Sequence, residues 1–136
     1  MSTRETILAA VASILVTANV ASGRVYRTRT EQIATLPAVE VKQVGAEAME
    51  VVLGRTDHEV TFTVAALANG DTPDTAADAV LAAAHTALMA DMSLGLGNEI
   101  QLHQDWQTND PEVSDYDYIR HSHTYKVRYR TATGSF

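Results

Sequence analysis

A His-Ser-His run at residues 121–123 is the local feature with the clearest potential for chemistry. Residues two apart in a strand point to the same side, so the imidazoles of His121 and His123 could approach one metal ion. His103 and Asp105 have the same spacing in the preceding predicted strand, but whether the two pairs share a face depends on a register that the sequence leaves open. The plainer explanation is polar positions on a strand that extends past its helical cover. We favour this explanation and predict neither a metal nor any other cofactor.

Nucleophilic catalysis has no good candidate in this sequence. The chain contains no cysteine, and no serine lies in the G-x-S-x-G pattern of a nucleophile elbow. The glycines at 95 and 97 form only a G-x-G, without the third glycine of a dinucleotide-binding turn. Asp78 and His85 lie two turns apart along one face of a predicted helix, too far for a catalytic dyad. We therefore predict no enzyme, and we assign Asp78 and His85 to a solvated stripe or a subunit contact.

The strongest charge feature is a row of cations that share one side of the last predicted strand: Arg120, Lys126, Arg128 and Arg130. Such a ridge could grip phosphate. It could instead pair with acids on neighbouring strands, such as Glu40 or Glu59, or meet an acidic surface on a neighbouring subunit. Tyr125 and Tyr129 have the opposite parity, which does not support a surface for single-stranded nucleic acid. We favour the two kinds of acidic partner.

Composition limits the remaining classes of protein. The 136 residues carry a formal net charge of −7, which argues against nucleic-acid binding by the protein as a whole, because phosphate contacts need positive surface. The hydrophobic fraction of 46% and charged fraction of 20% are ordinary for a globular protein. The length predicts one domain over residues 1–136. No stretch is long and apolar enough to span a membrane, so no membrane partner is expected.

The elements that must position these residues begin with a helix predicted over residues 3–18. The larger apolar side chains recur there at the spacing of one helical face, at Ile7, Leu8, Val11, Ile14, Leu15 and Ala18. Ser2 and Glu5 have the S-x-x-E spacing of a capping box, in which each side chain satisfies a free backbone N–H. A cleaved signal peptide is the alternative for this segment, but Glu5 stands where such a peptide needs positive charge.

Strands follow the first helix, and they are predicted at residues 24–30, 38–44, 49–53 and 57–68, with residues 45–48 as a turn. In the last of these strands, Val60, Phe62 and Val64 alternate with polar residues, which predicts one buried and one wet face. An alanine-rich helix is predicted over residues 73–90, with Thr72 as its N-cap.

Two further strands, at residues 99–108 and 118–132, complete the predicted order α-β-β-β-β-α-β-β. An acidic segment at residues 109–115 joins them and is long for a hairpin. Neighbouring strands in such an order are mostly antiparallel. The predicted fold class is therefore α+β, a mostly antiparallel sheet with two main helices packed on one face.

Four segments of the chain carry a resemblance to a known family: Arg4-Glu5-Thr6-Ile7-Leu8-Ala9-Ala10; Val25-Tyr26-Arg27 followed by Leu36-Pro37-Ala38-Val39; the helix from Ala76 to His85; and Tyr125-Lys126-Val127-Arg128-Tyr129-Arg130-Thr131. In the same order, and over nearly the whole chain, they resemble the tail terminator proteins of long-tailed phages. Each motif alone is mainly a secondary-structure pattern. The order and the closing strand carry most of the weight.

This resemblance implies a virion protein with no catalytic residues to transfer. Members of the family form a six-fold ring that docks on the last ring of the tail tube, stops its polymerisation and presents a surface to head-completion proteins. The implied partners are further copies of the chain in a hexamer, a tail-tube protein and a head-completion or connector protein. DNA would pass through the bore without specific binding. The implied location is the head-proximal end of the tail in the virion, and the host cytoplasm during assembly.

A ring of this kind closes through heterologous contacts. The candidates for the subunit or annular interface are Arg120, Lys126, Arg128, Arg130, Asp78 and His85. Acidic residues in the bore would repel DNA phosphates, and the candidates are Glu47, Glu50, Glu112, Asp115 and Asp117. Two alternatives stay open: another head–tail connector or tail-completion protein, and a cytosolic metal-binding or enzymatic α+β protein that uses His121 and His123.

Overall fold

The computed structural model describes residues 2–27, 35–52, 54–97, 100–102, 107–113 and 118–132. In chain order its elements are α1 (Thr3–Thr17), a short 3₁₀ turn (Val20–Gly23), β1 (Val25–Arg27), β2 (Ala38–Val52), β3 (Arg55–Ala68), α2 (Pro73–Met89), β4 (Ile100–Leu102), β5 (Gln107–Thr108), β6 (Glu112–Val113) and β7 (Ile119–Ala132). The fold class is α+β, as predicted, with two helices and a mostly antiparallel sheet.

The sheet is centred on two long strands, β3 and β7, which pair antiparallel from Arg55 opposite Ala132 to Ala68 opposite Ile119. The strand order is β1-β2-β3-β7-β4, and the short strands β5 and β6 also pair with β7. β1 lies parallel to β2 and is the one parallel neighbour among the described strands. The first residues after β1, predicted to extend this strand to residue 30, lie outside the described part of the chain.

The core lies between the two helices and one face of the sheet. The helices bury apolar residues at helical spacing: Ile7, Leu8, Val11 and Leu15 from α1, and Ala77, Leu81, Ala84 and Leu88 from α2. From the sheet, Phe62 stacks on Tyr125 with ring centroids 5.5 Å apart, and both are fully buried. Alanines in α2 let that helix approach the strands closely, while Phe62, Tyr125 and Tyr129 are large buried side chains from the sheet. The predicted buried face of α1 is confirmed at Ile7, Leu8, Val11 and Leu15, whereas Ala18, predicted on the same face, is exposed.

The start of α1 shows how a predicted cap is used. The Ser2 hydroxyl accepts a hydrogen bond from the Glu5 backbone N–H at 3.1 Å, as the capping box requires. The Glu5 carboxylate is used elsewhere, because it accepts two hydrogen bonds from the Arg27 guanidinium, at 3.0 and 3.2 Å. This pair links the first turn of α1 to β1. At α2, Thr72 is the N-cap residue as predicted, but its side chain makes no capping hydrogen bond.

The predicted turn at residues 45–48 is wrong. The two strands predicted on either side of it form one continuous strand, β2, which pairs with β3 over its whole length. The register shifts between Gln43 and Gly45, and again between Ala48 and Glu50, as at β-bulges. A glycine within a strand pattern can mark a bulge as well as a turn, so the sequence signal was ambiguous. The chain reverses instead at Gly54, whose φ of +79° is readily adopted only by glycine.

The predicted wet face of β3 is also wrong over the second half of the strand. Ala65 and Leu67 point away from the helices, yet both are fully buried. Leu67 belongs to a small separate cluster with Ala38 and Tyr118, and Leu36 packs against it. Segments just before β2 and β7 therefore cover this end of the sheet from the side opposite the helices. Such cover comes from residues distant in sequence, and strand periodicity carries no sign of it.

The predicted strand at residues 99–108 is described in two parts, β4 and β5. His103 and Asp105 fall between them, outside the described residues. The segment predicted as a loop before β7 contains β6. Within the described residues, neither helix has the length and apolar character needed to cross a membrane.

Candidate assembly surface

β7 presents its basic residues on the side of the sheet opposite the helices, because they alternate with the buried Tyr125, Val127 and Tyr129. The predicted division of this strand into an apolar face and a basic face is confirmed. Acidic residues of β2 and β3 share the basic side. We call this surface the outer sheet face, made up of Glu40, Glu47, Asp57, Glu59, Arg120, Lys126, Arg128 and Arg130.

Arg130 and Asp57 form the tightest ion pair of the outer sheet face. They stand directly opposite each other in the β3–β7 register. Arg130 Nε donates to Asp57 Oδ1 at 2.6 Å, and Arg130 Nη2 donates to Asp57 Oδ2 at 3.2 Å. Bidentate pairs of this kind fix the geometry of both side chains. Asp57 was missed as a partner, because opposition across two strands is set by a register that the sequence does not specify.

Hydrogen bonding to Arg130 lowers the pKa of the Asp57 carboxyl below its ordinary value, although partial burial opposes the shift. We expect Arg130→Met to raise the pKa of Asp57 toward that of an ordinary aspartate, about 3.9, because both hydrogen bonds are lost. The pKa is measured by following the carboxyl carbon of Asp57 by NMR from pH 2 to pH 7. Lys126→Met is the matched control, since Lys126 pairs with a different acid. Equal pKa values of Asp57 in both variants would contradict the assigned pair.

Two further cations pair with the acids expected from the sequence. Arg120 Nη2 lies 3.5 Å from Glu40 Oε1, and Lys126 Nζ lies 3.9 Å from Glu59 Oε1. The prediction that strand acids such as Glu40 and Glu59 accept these cations is thus confirmed. Glu40 is the most buried of the four, with a side chain 8% exposed. The ridge is neutralised within the chain at these points and is poorly suited to gripping phosphate.

Arg128 and Glu47 occupy the middle of the outer sheet face. Arg128 stands opposite Glu59 in the register, and its Nη2 lies 3.8 Å from the sulfur of Met49 on β2. Glu47, which is exposed, stands opposite Glu59 on its other side. Like charges on directly opposed strand positions repel, and the Lys126 ammonium group beside Glu59 offsets this repulsion. A depression of about 330 Å³ lies beside these two acids, next to Gly45 and Lys126.

The hairpin formed by residues 43–52 and 54–61, which we call the β2–β3 arm, carries exposed apolar side chains. Val44 is 62% exposed, Val51 is 64% exposed and Met49 is 45% exposed. β1 pairs with β2 only at residues 39–41, so in the described part of the chain the outer edge of β2 has no strand partner along the arm. Exposed valines beside an open strand edge are typical of surfaces that another protein covers.

The predicted bore residues do not form one cluster in the described structure. Glu47 and Glu50 lie on β2, in the arm rather than in a loop. Glu112 is exposed on β6 and stands opposite Arg120 in the register. Asp115 and Asp117 lie outside the described residues. Their assignment to a bore stays a prediction.

The predicted interface pair on α2 divides into two different environments. Asp78 is exposed. His85 is half-buried, and its Nδ1 lies 2.9 Å from the hydroxyl of Tyr125 on β7. His85 therefore has an intramolecular role that its sequence position did not reveal. Whether either residue also meets a neighbouring subunit stays a prediction.

His121 and His123 lie on the helix-facing side of β7, with His123 9% exposed beneath α2. His123 Nδ1 lies 3.2 Å from the Tyr125 hydroxyl, and the rings of the two histidines are 6.4 Å apart between centroids. In the part of the chain that the structure describes, no group of three or more histidine or acidic side chains is arranged to hold a metal ion.

The fold is shared with a virion protein. No family model matches the chain, and no curated protein matches it in sequence. Among solved structures, the chain is similar to a chain in the structure titled "Virion of native gene transfer agent (GTA) particle". The TM-score is 0.62 at 16% sequence identity, over 92% of this chain and 95% of that chain. At this identity, the match shows that the two chains have the same fold.

Proposed function

We propose that this chain is a structural protein of a phage-like virion, and that it acts as the tail terminator: a ring that caps the tail tube, stops tube polymerisation and offers the surface on which the head docks. The observation that carries the proposal is the fold shared, over nearly the full length of both chains, with a chain of the gene transfer agent virion. A non-enzymatic role is part of the proposal. The proposed location is the head-proximal end of the tail, after assembly in the host cytoplasm.

The exposed apolar side chains of the β2–β3 arm support the proposal that copies of this chain assemble through direct contacts. Val44 and Val51 are each more than half exposed, and burial of such side chains by a neighbour is favourable by about 25 cal/mol for each Å² of apolar surface. A ring needs a heterologous contact, in which one patch of the surface meets a different patch on the next copy. We assign the arm to one side of that contact. The proposed hexamer, the tail-tube protein and the head-completion protein are the partners of this ring.

The charges of the outer sheet face support the proposal that DNA passes through the ring without binding to it. Arg120, Lys126 and Arg130 each have an acidic partner within the chain, so phosphates would have to displace existing ion pairs. Repulsion by exposed acids adds to this effect. Glu47 and Glu112 are exposed, and we propose them as bore residues together with Glu50, Asp115 and Asp117. The basic residues, with Asp78 and His85, remain our proposal for subunit or annular contacts.

The proposal is tested by electron microscopy of particles made without this protein. Loss of a terminator is expected to give tail tubes of abnormal, variable length, because nothing stops addition of the tube protein. Supplying the intact gene in trans should restore uniform tails joined to heads. Tails of normal length that fail to join heads would instead identify a connector or tail-completion protein. Normal infectious particles would remove both assignments.

A further inference from the structure

Three polar side chains meet between α2 and the sheet. The Tyr125 hydroxyl on β7 lies 2.9 Å from Nδ1 of His85 on α2 and 3.2 Å from Nδ1 of His123 on β7. The two imidazole rings are perpendicular, with centroids 5.9 Å apart. Tyr125 is fully buried and His123 is 9% exposed, so bulk water cannot freely replace these contacts. This cluster is a polar link between α2 and the sheet.

The hydrogen-bonding capacity of the cluster limits its protonation states. A phenol hydroxyl has one proton to donate, and burial raises the pKa of Tyr125, so the proton is retained. A neutral imidazole has one N–H and one bare nitrogen. The Tyr125 hydroxyl can therefore donate to one ring only, while the other ring donates its own Nδ1–H to the phenol oxygen. When both rings are protonated, both donate, and the buried hydroxyl proton has no acceptor within the cluster.

Burial and the charges around the cluster also affect the protonation of its two histidines. Burial lowers the pKa of His123, with the charges of His85 and His121 acting in the same direction, while the Asp78 carboxylate opposes them. Burial also lowers the pKa of His85. From the adjoining strands, the residues opposite Tyr125 and His123 are Phe62 and Val64 on β3 and Thr108 on β5, which carry no charge. Asp78 is thus the one described acid that compensates a positive His123.

We propose that His85, Tyr125 and His123 form a protonation-sensitive latch, which fastens α2 to the sheet while at least one imidazole is neutral and loosens α2 when both become charged. Loosening this helix would uncover the apolar residues that it buries, Ala77, Leu81, Ala84 and Leu88. The latch is a property of the folded chain and does not depend on the proposed role in the tail. Its direction is fixed, since acid opens it and neutral pH closes it.

The sign of the pH dependence follows from proton binding. Because both histidines have a lower pKa in the folded chain, the unfolded chain binds more protons as the pH falls through about 6.5, the ordinary histidine value. The stabilisation is complete above that pH and is lost progressively below it. For each histidine, every unit of pKa difference changes the unfolding equilibrium constant about tenfold.

The latch is tested by urea unfolding between pH 7.5 and pH 5.5, above the range in which most carboxyls titrate. The wild-type midpoint is expected to fall as the pH drops, while the H85Q/H123Q double variant has a nearly constant midpoint. His121→Gln is the matched control: its imidazole belongs to the same strand but does not contact Tyr125, so most of the pH dependence should remain. If the double variant does not fold, the H85Q single variant is used, because His85 is only half-buried. H85Q must then reduce the pH dependence of the urea midpoint. An undiminished dependence in the histidine variants would overturn the proposal.

Amide hydrogen exchange gives a second readout, which global destabilisation alone would not produce. After correction for the intrinsic effect of pH, amides of α2 are expected to lose protection at pH 5.5 before those of α1. Tyr125→Phe keeps the buried ring but removes the shared hydroxyl, and α2 should then be less protected at pH 7.5 as well. Equal loss of protection in both helices, or none in either, would also overturn the latch.

Discussion

Replacing Val51 by lysine is expected to leave the monomer folded and to abolish assembly of normal tails. Val51 is 64% exposed near the tip of the β2–β3 arm, and substitutions at such positions usually change the free energy of unfolding by less than about 0.5 kcal/mol. In the proposed ring, the same side chain is covered by a neighbouring copy. An ammonium group placed there would lose its hydration without gaining a partner, which costs several kcal/mol at each contact. Because a closed ring repeats the contact at every interface, the penalty is multiplied.

The experiment expresses the V51K variant in trans in a host whose phage-like genome lacks the wild-type gene. The number of infectious particles and the length of the tails are then measured. Val16→Lys is the matched control, since Val16 is 49% exposed on α1, outside the arm, and receives the same charge. Val44→Lys is expected to act as V51K does. Circular dichroism and urea unfolding of each purified variant show whether the fold is retained. Normal tails with folded V51K and V44K would remove the arm from the proposed subunit contact.

Replacing Phe62 by alanine is expected to lower the free energy of unfolding by about 3–5 kcal/mol. Phe62 lies at the centre of the core, fully buried and stacked on Tyr125 with ring centroids 5.5 Å apart. Truncation removes the transfer free energy of the ring and leaves a cavity in the core that the surrounding side chains fill only in part. A loss of this size is a large fraction of the 5–15 kcal/mol that stabilises a typical domain.

The measurement is the midpoint of urea or thermal unfolding at neutral pH. Tyr26→Ala is the control, because it also removes an aromatic ring, but from a side chain that is 38% exposed on β1. We expect the control to lose much less stability. Similar midpoints for the two alanine variants would mean that Phe62 does not occupy the core position assigned to it.

The two helices could be predicted from local signals. Both helices begin where predicted, and each ends one residue before its predicted boundary. They were predictable because caps, helix propensity and apolar spacing all act within a few residues. The faces of β7 were also predicted, since alternation along one strand needs no knowledge of its neighbours. The α+β class followed from the order of these elements.

The length of β2 and the burial of Leu67 on β3 could not be predicted from local signals. Gly45 carries the signal of a turn, but β3 continues past it, and pairing with that strand makes it part of a bulge. Leu67 lies on the side expected to be wet, and it packs with Tyr118 and with Ala38, its partner on β2, both distant in sequence. Both outcomes depend on contacts between separate segments, which compete with local propensity and here prevail over it.

The sequence by itself determined the chemistry that the chain can offer: the lack of a thiol, a basic strand with acids available to pair with it, and histidines two apart on one strand. Tertiary structure alone decided which groups meet. The β3–β7 register gave Arg130 its partner Asp57, and the docking of α2 brought His85 to Tyr125, so that His123 shares a hydroxyl with another histidine. The physical reason is that residue type fixes what a side chain can donate, accept or charge, whereas its partner is set by long-range packing of the helices and strands that carry it.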